Sequence, residues 1–434
     1  MIKKLKSLKQ NQEFMKYFSN TSWLFFDKIF KMGVGFFVII YLARYLGPER
    51  FGILFYAQSF VSIFMAFASL GISQVLIRDL VKDHNKKNVL LGTSFWLTFV
   101  SSTLAIFFIY IFELFFENDK VSQAMVFVLS FTIIFQNLNM LIDSYFQHKV
   151  LSKKIVYCNT IGFIISSLVK FYLIYIKADL LYFAYALLFD SLLLSVLFIY
   201  IYYKENENIL LWKFDFGIAK KFLKVAMPLT MVAVSAFIYT RIDQIMLKHM
   251  LDNEAVGNYA AAIKVSELFY FIPGIIVTSL FPKLVEMKKV NNEKYLLLIE
   301  KMYRLVVWIA IPIAISIFIF SDIIVDILYG DKYTQASGIL SILSWGIIFV
   351  SIGAVFIKLL YVEHYEKKYL YKSLFGVFVN IILNYFLIKL YGVNGAAMAT
   401  IITMFSINYI YDVLDKDVRK FYYLKFMCFL PKMS

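Results

Sequence analysis

Charged residues are scarce in this chain. Asp, Glu, Lys and Arg together make up 17% of the 434 residues, whereas soluble proteins average about 25%. Hydrophobic residues make up 61%, and the mean hydropathy is +0.73. This composition excludes a soluble domain. Pro and Gly are also rare, with 6 and 17 copies, which excludes a low-complexity or fibrous chain.

Cysteine and histidine are scarce as well. The two cysteines provide no disulfide framework, and neither they nor the four histidines have the spacing of metal ligands. The chain has no P-loop and no GxSxG motif. We therefore expect no metal site, no catalytic residue and no ATP-driven transport by this chain alone. The Asp415-Lys416-Asp417 tripeptide lies in a charged tail without a nucleotide-binding fold around it.

Long apolar runs fill the rest of the sequence, each near the ~20 residues that a bilayer-spanning helix needs. They predict an all-α integral membrane protein with twelve transmembrane helices, the first of them retained rather than cleaved as a signal peptide. The predicted spans are 23–42, 52–77, 89–112, 122–142, 155–176, 180–203, 222–247, 256–281, 305–328, 337–361, 370–390 and 395–414. The segments between them are too short for a folded extramembrane domain.

Basic residues alternate between the connecting segments. With a cytoplasmic N-terminus, the inner segments carry 31 Lys and Arg and the outer ones carry 7. This follows the positive-inside rule. The net charge of +15 thus reflects membrane orientation and not nucleic-acid binding, and both termini are predicted to be cytoplasmic in a multi-pass protein of the cell (inner) membrane.

An internal duplication divides the spans into two sets of six. LSFTIIF at 129–135 recurs as LSWGIIF at 343–349, and LGPERFG at 46–52 aligns with LDNEAVG at 251–257. Because six is even, both halves enter the membrane from the same face, as two parallel six-helix lobes. The predicted division is 1–203 for the first lobe, 204–221 for a cytoplasmic linker, 222–414 for the second lobe and 415–434 for a basic tail.

Charged residues inside the spans are the candidate functional groups, because a charge in a membrane helix is costly unless it faces protein or water. We expect a cavity that transports an anionic cargo, with phosphate bound by ammonium and guanidinium groups. The candidate substrate-binding cations are Lys28, Lys31, Arg241 and Lys264. The candidate coupling or lumen acids are Asp27, Asp190, Asp243 and Glu267.

Simpler structural roles compete with these assignments. Asp27 with Lys31 and Lys264 with Glu267 lie at i, i+4 and i, i+3 spacings, which also suit self-neutralising pairs. Lys28 lacks such a partner in its helix but lies near the headgroups. Lys170 and Lys358 lie near helix ends, where snorkelling to the membrane surface is the favoured interpretation.

The sequence resembles the polysaccharide transporter family at several of these segments. The resemblance rests on WLFFDKIFKM at 23–32, YLARYLGPERFG at 41–52, LGISQVLIRDL at 70–80 and TRIDQIMLK at 240–248. This family of Wzx-type oligosaccharide flippases belongs to the MOP superfamily, with the MATE drug exporters and lipid II flippases. The resemblance implies a two-lobe, MATE-like fold with a cationic lumen.

The resemblance also implies a cargo. Undecaprenyl-diphosphate-linked oligosaccharide units would move from the cytoplasmic to the outer leaflet by alternating access, for assembly of O-antigen or capsule. Besides this lipid-linked oligosaccharide, the expected partners are membrane lipids and the polysaccharide polymerase machinery. No cofactor is expected, although the span acids are compatible with coupling to H⁺ or Na⁺.

Two other functions fit the sequence less well. A MATE-like cation-coupled exporter of small molecules predicts a lumen dominated by carboxylates, and the spans hold slightly more cations than acids. A membrane glycosyl polymerase or ligase needs a large outer loop for its catalytic groups, and the longest outer segment runs only from Ser321 to Ser337.

Overall fold

The computed structural model describes residues 12–363 and 365–427, and within them the chain forms helices and no β-strand. The ends of the predicted N-terminal segment and basic tail, 1–11 and 428–434, and His364 lie outside the described residues. The helices are α1 Gln12–Ala68, α2 Ile72–Lys82, α3 Lys87–Phe116, α4 Lys120–Ser130, α5 Thr132–His148, α6 Ser152–Tyr175, α7 Leu180–Lys204, α8 Phe216–Met250, α9 Asn253–Val290, α10 Asn292–Ile319, α11 Ser321–Tyr329, α12 Ala336–Leu343, α13 Gly346–Val362, α14 Glu366–Phe405, α15 Tyr411–Leu414 and α16 Tyr422–Met427.

In this described part, ten helical segments are long and apolar enough to cross a membrane. Two of them, Phe25–Lys82 with 58 residues and Lys368–Leu414 with 47, are more than twice the ~20 residues that one crossing needs. Non-helical backbone interrupts the first at Gly47 and the second at Gly392. The protein is thus an all-α, multi-pass membrane protein, and the count of twelve spans stays a prediction.

The break in α1 follows from two adjacent residues. Gly47 has φ 73° and ψ 171°, a left-handed conformation that is strained for residues with a Cβ. Pro48 follows it, and its fixed φ and missing N–H suit the first turn of a new helix. The break therefore falls between the predicted spans 23–42 and 52–77.

The chain forms two compact units. Among the described residues, the first comprises 12–45 and 60–234, and the second comprises 46–59, 235–363 and 365–427. Residues 204–221, predicted as a linker, pack within the first unit, and helix α8 crosses the boundary between the units. In the first unit, side chains of α2, α5 and α7, among them Tyr145 and Tyr202, form a buried core.

Segment 204–216 is attached to the first unit by specific contacts. The Glu207 carboxylate accepts hydrogen bonds from Lys87 Nζ at 2.5 Å and Tyr145 Oη at 2.7 Å. The Trp212 indole N–H donates to Tyr202 Oη at 3.1 Å. Burial disfavours the charged form of Glu207, but these hydrogen bonds and the charge of Lys87 outweigh it, so the pKa of Glu207 lies below its usual value.

The second unit has its own core between α9, α10 and α13, with buried side chains such as Tyr303, Ile352 and Leu359. Near it, the backbones of the LGPERFG and LDNEAVG segments touch. A Cβ on Gly52 would lie 1.8 Å from the Asn253 carbonyl oxygen, and one on Gly257 would lie 1.9 Å from the Pro48 carbonyl oxygen. The lack of a side chain at both glycines makes this close packing possible.

At the end of α14, a π-helical turn, Ser406–Ile410, precedes α15.

Candidate functional site

The first unit holds the acid and the two cations predicted near the start of the chain. Asp27 is buried, its Oδ2 lies 3.1 Å from Lys31 Nζ, and it accepts a hydrogen bond from Asn159 Nδ2 at 3.3 Å. Lys28 is exposed and forms no ion pair with any residue that the structure describes. Asp143 also lies close enough to interact electrostatically with Asp27 and Lys31. The group therefore contains two cations and two carboxylates, and Lys28 is its cation outside the Asp27–Lys31 ion pair.

A second cluster, with two cations and one carboxylate, lies in the second unit. Glu267 Oε2 accepts from Lys264 Nζ at 2.7 Å, and its Oε1 lies 3.7 Å from Arg241 Nη1. These side chains keep exposed fractions of 18% for Lys264, 24% for Arg241 and 33% for Glu267. Partial exposure lets the two cations meet a ligand without leaving the carboxylate.

One face of α8 carries Arg241, Gln244 and Lys248 at i, i+3 and i+7, and these side chains make separate contacts. Gln244 is fully buried and accepts a hydrogen bond from Ser59 Oγ at 2.6 Å. The Lys248 ammonium lies 4.9 Å from the centre of the Tyr56 ring, a cation–π contact. Arg241 is thus the residue of this face that joins the acid–cation cluster.

Asp243 is placed differently from the other predicted acids. It is 2% exposed, its Oδ2 accepts from Tyr259 Oη and Thr400 Oγ1, each at 2.7 Å, and its Oδ1 accepts from Asn384 Nδ2 at 2.6 Å. Among the described residues, no Lys or Arg pairs with it. A buried carboxylate without a cation is costly, so Asp243 is suited to bind a proton or a small cation.

Asp190 has a partner that sequence spacing does not reveal. Lys170 Nζ lies 2.5 Å from Asp190 Oδ2 and donates to Ser166 Oγ at 2.8 Å. The snorkelling prediction for Lys170 is therefore wrong, because α6 and α7 place a carboxylate beside its ammonium. For Lys358, the ammonium lies 5.1 Å from the centre of the Phe281 ring.

The second unit also encloses a cavity of about 360 Å³, here called the second-unit cavity. Asp243, Thr400, Glu267, Lys372 and Asn408 are among the residues that line it. Sequence reasoning missed Lys372, because this residue lies just inside the predicted span 370–390 and was counted with the loop before it. The signal available in the sequence was that Lys372, a charged residue, lies within a predicted span.

These groups support transport chemistry rather than bond making. Partly exposed ammonium and guanidinium groups, each near one carboxylate, can bind the oxygens of an anionic head group and release them again.

The DxD tripeptide of the tail forms an ion-pair network among the described residues. Lys368 Nζ lies 3.0 Å from the Asp415 carboxylate and 2.9 Å from the Asp417 carboxylate.

Comparison with known families and sequences gives matches along most of the chain. A family model described as "Polysaccharide biosynthesis protein" matches residues 41–338. A Haloferax volcanii protein named "Probable low-salt glycan biosynthesis flippase Agl15" is 24% identical over 386 residues, 89% of this chain and 80% of that protein. The Staphylococcus aureus "Capsular polysaccharide biosynthesis protein CapF" is 24% identical over 401 residues, 90% of this chain and 98% of that protein.

Solved structures share the fold. Lipid II flippase MurJ in an inward closed conformation matches with a TM-score of 0.72 and 17% identity, over 93% of this chain and 91% of that one. An inward-facing MATE family multidrug resistance transporter matches with a TM-score of 0.68 and 13% identity, over 89% and 94%. The fold is therefore that of the MOP superfamily.

Proposed function

The chain belongs to the family of polysaccharide biosynthesis proteins, and on that premise we propose that it is a flippase. It moves lipid-linked oligosaccharide units, carried on a polyprenyl diphosphate such as undecaprenyl diphosphate, from the cytoplasmic to the outer leaflet. There the units enter assembly of a surface polysaccharide. The flippase named for the Haloferax volcanii relative and the capsular role named for the Staphylococcus aureus relative support this cargo class.

The single observation that carries the proposal, beyond the family, is the excess of cations in the cluster of the second unit. Arg241 and Lys264 accompany Glu267 there, whereas Asp27 and Asp143 balance Lys28 and Lys31 in the first unit. An exporter of cationic drugs needs the opposite balance, so the MATE-like alternative has less support. No chemical reaction is required of the protein, and we propose that it is not an enzyme.

We assign the coupling of transport to an ion gradient to an acidic residue without a lysine partner. Asp27, Asp190 and Glu267 each have a lysine partner, whereas Asp243 is held by hydroxyl and amide groups. We propose that H⁺ or Na⁺ binds at Asp243 and drives alternating access. The proposed location is the cell membrane with both termini in the cytoplasm, in agreement with the positive-inside pattern, and the polysaccharide polymerase machinery is the proposed downstream partner.

Charge reversal tests the proposal. Lys28→Glu and Arg241→Glu should each stop surface glycan assembly in cells that lack the native copy, while membrane insertion stays normal. Arg241→Glu places a second carboxylate beside Glu267 and so changes the sign of the cluster. Lys358→Glu is the matched control, because Lys358 lies in a span but outside both clusters. Normal surface glycan in the Arg241 variant, measured by glycan-specific labelling, would remove that cluster from transport.

A further inference from the structure

The second-unit cavity reaches a buried basic cluster that the proposed function leaves unused. Lys372 is 4% exposed, Asp412 and Lys425 are fully buried, and Lys372 Nζ lies 2.9 Å from Asp412 Oδ1. Lys425, from helix α16, donates to Asp412 Oδ2 and to the Asn408 carbonyl oxygen, the latter at 3.0 Å. Two ammonium groups thus share one carboxylate.

An aromatic ring contributes to holding this charge. The Lys372 ammonium lies 3.6 Å and the Lys425 ammonium 3.9 Å from the centre of the Phe356 ring. Cation–π contacts offset part of the desolvation cost of an ammonium group, but a buried charge stays costly unless an opposite charge accompanies it. Asp412 accompanies both groups, and an anion in the cavity beside Lys372 would add a second opposite charge.

The rest of the cavity wall determines what kind of anion fits. Away from the charged and hydroxyl groups, it is formed by apolar side chains: Phe349, Val350, Ala354, Ile357, Met404 and Ile407. A small hydrated anion gains nothing from such a wall, whereas an apolar chain does. The cavity therefore suits an amphiphile with an anionic head and a hydrocarbon tail.

We infer that Lys372 binds the phosphate group of a polyprenyl phosphate-type lipid whose first isoprene units occupy the second-unit cavity. The inference rests on the proposed function, since it assigns a second lipid-phosphate site within the same transporter. Lys372 lies at the start of α14, at the predicted cytoplasmic end of a span, so the lipid enters from the cytoplasmic leaflet.

A site of this kind is retained for binding at a cost in stability, and this separates it from a structural ion pair. Lys372→Met leaves Asp412 with Lys425 and removes a buried charge, so the ligand-free variant should unfold at the same or a higher temperature. Asp412→Asn instead leaves two buried ammonium groups without their carboxylate, so it should unfold at a lower temperature.

The binding test uses the purified full-length protein in detergent, with undecaprenyl phosphate, undecaprenol and inorganic phosphate as separate probes. Undecaprenyl phosphate should raise the unfolding temperature of the wild type, and the affinity should fall about tenfold or more in Lys372→Met, since a charged hydrogen bond is lost. Lys389→Met is the matched control in α14, because Lys389 is exposed and contacts only Tyr385 among the residues described. It should bind as the wild type does.

Three results would overturn the inference: equal binding by Lys372→Met, equal stabilisation by undecaprenol, or a fall in unfolding temperature for ligand-free Lys372→Met that matches Asp412→Asn. Stabilisation by inorganic phosphate alone, at the same affinity, would refute a lipid ligand. The glycan assay with Arg241→Glu keeps the two proposals apart. Loss of glycan in that variant with unchanged lipid binding by Lys372→Met would refute only this inference. Normal glycan in that variant with lost lipid binding by Lys372→Met would remove the Arg241 cluster from transport and leave this inference standing.

Discussion

Substitution of Gly257 by Ala should destabilise the second unit strongly. The added Cβ would lie 1.9 Å from the Pro48 carbonyl oxygen, 2.6 Å from its carbonyl carbon and 3.0 Å from its Cα. All three are backbone atoms, so no flexible side chain can move aside. The two segments must separate by more than about 1 Å, and overpacking of this kind costs about 1–3 kcal/mol or more.

The close approach predicts non-additivity as well. Gly52→Ala meets the Asn253 carbonyl oxygen at 1.8 Å, so it forces apart the same two segments. Once one alanine has separated them, the second adds little, and the double variant should be destabilised by less than the sum of the single variants, with an interaction energy of about 0.5–3 kcal/mol.

Gly274→Ala is the matched control, because Gly274 lies in α9 with Gly257 and a Cβ there would meet no atom within 4 Å. Replacing a helical glycine by alanine at an open position should be neutral or stabilising by about 0.5–1 kcal/mol. The assay is thermal unfolding of purified variants in one detergent. If Gly257→Ala unfolds at the temperature of Gly274→Ala, the close packing of these segments is refuted.

Two further predictions concern charge. The lowered pKa of Glu207 means that its ion pairs stabilise the first unit above the usual glutamate pKa, and that this stabilisation is lost as pH falls through the folded-state pKa. Thermal unfolding between pH 7 and pH 3 should therefore show a smaller pH dependence in Glu207→Gln than in the wild type, and equal slopes would contradict the assignment. Asp243→Asn should abolish the response of cargo movement to an imposed Na⁺ or H⁺ gradient in proteoliposomes. The control variant Glu300→Gln, outside the cavity, should retain this response. A retained response in Asp243→Asn would exclude Asp243 as the coupling site.

The membrane fold could be predicted from the sequence because its signals are local. Apolar runs of spanning length and the Gly47-Pro48 break can be recognised without knowing which helices are neighbours. The internal duplication stays a prediction. The segments LGPERFG and LDNEAVG, which the sequence comparison aligns, contact each other near Gly52 and Gly257.

Ion pairing could be predicted only within one helix. The Asp27–Lys31 and Lys264–Glu267 pairs follow from their spacing of four and three residues. Lys170 and Asp190 are 20 residues apart, and their contact depends on the packing of α6 against α7. The hydrogen-bond partners of Asp243 come from three different places in the chain, so sequence spacing could not predict them either. The sequence therefore identified the site residues as charges within spans, but it did not predict which side chains from other helices surround them.

The π-helical turn at Ser406–Ile410 determines which side chain meets Lys372. A π turn contains one residue more than an α turn, so every later position is rotated by about 100° relative to an unbroken α-helix. In an unbroken α-helix of the same sequence, Tyr411 would therefore stand where Asp412 now stands, and a phenol would face the two ammonium groups. The single extra residue in this turn thus decides whether this end of the cavity holds a carboxylate or a phenol.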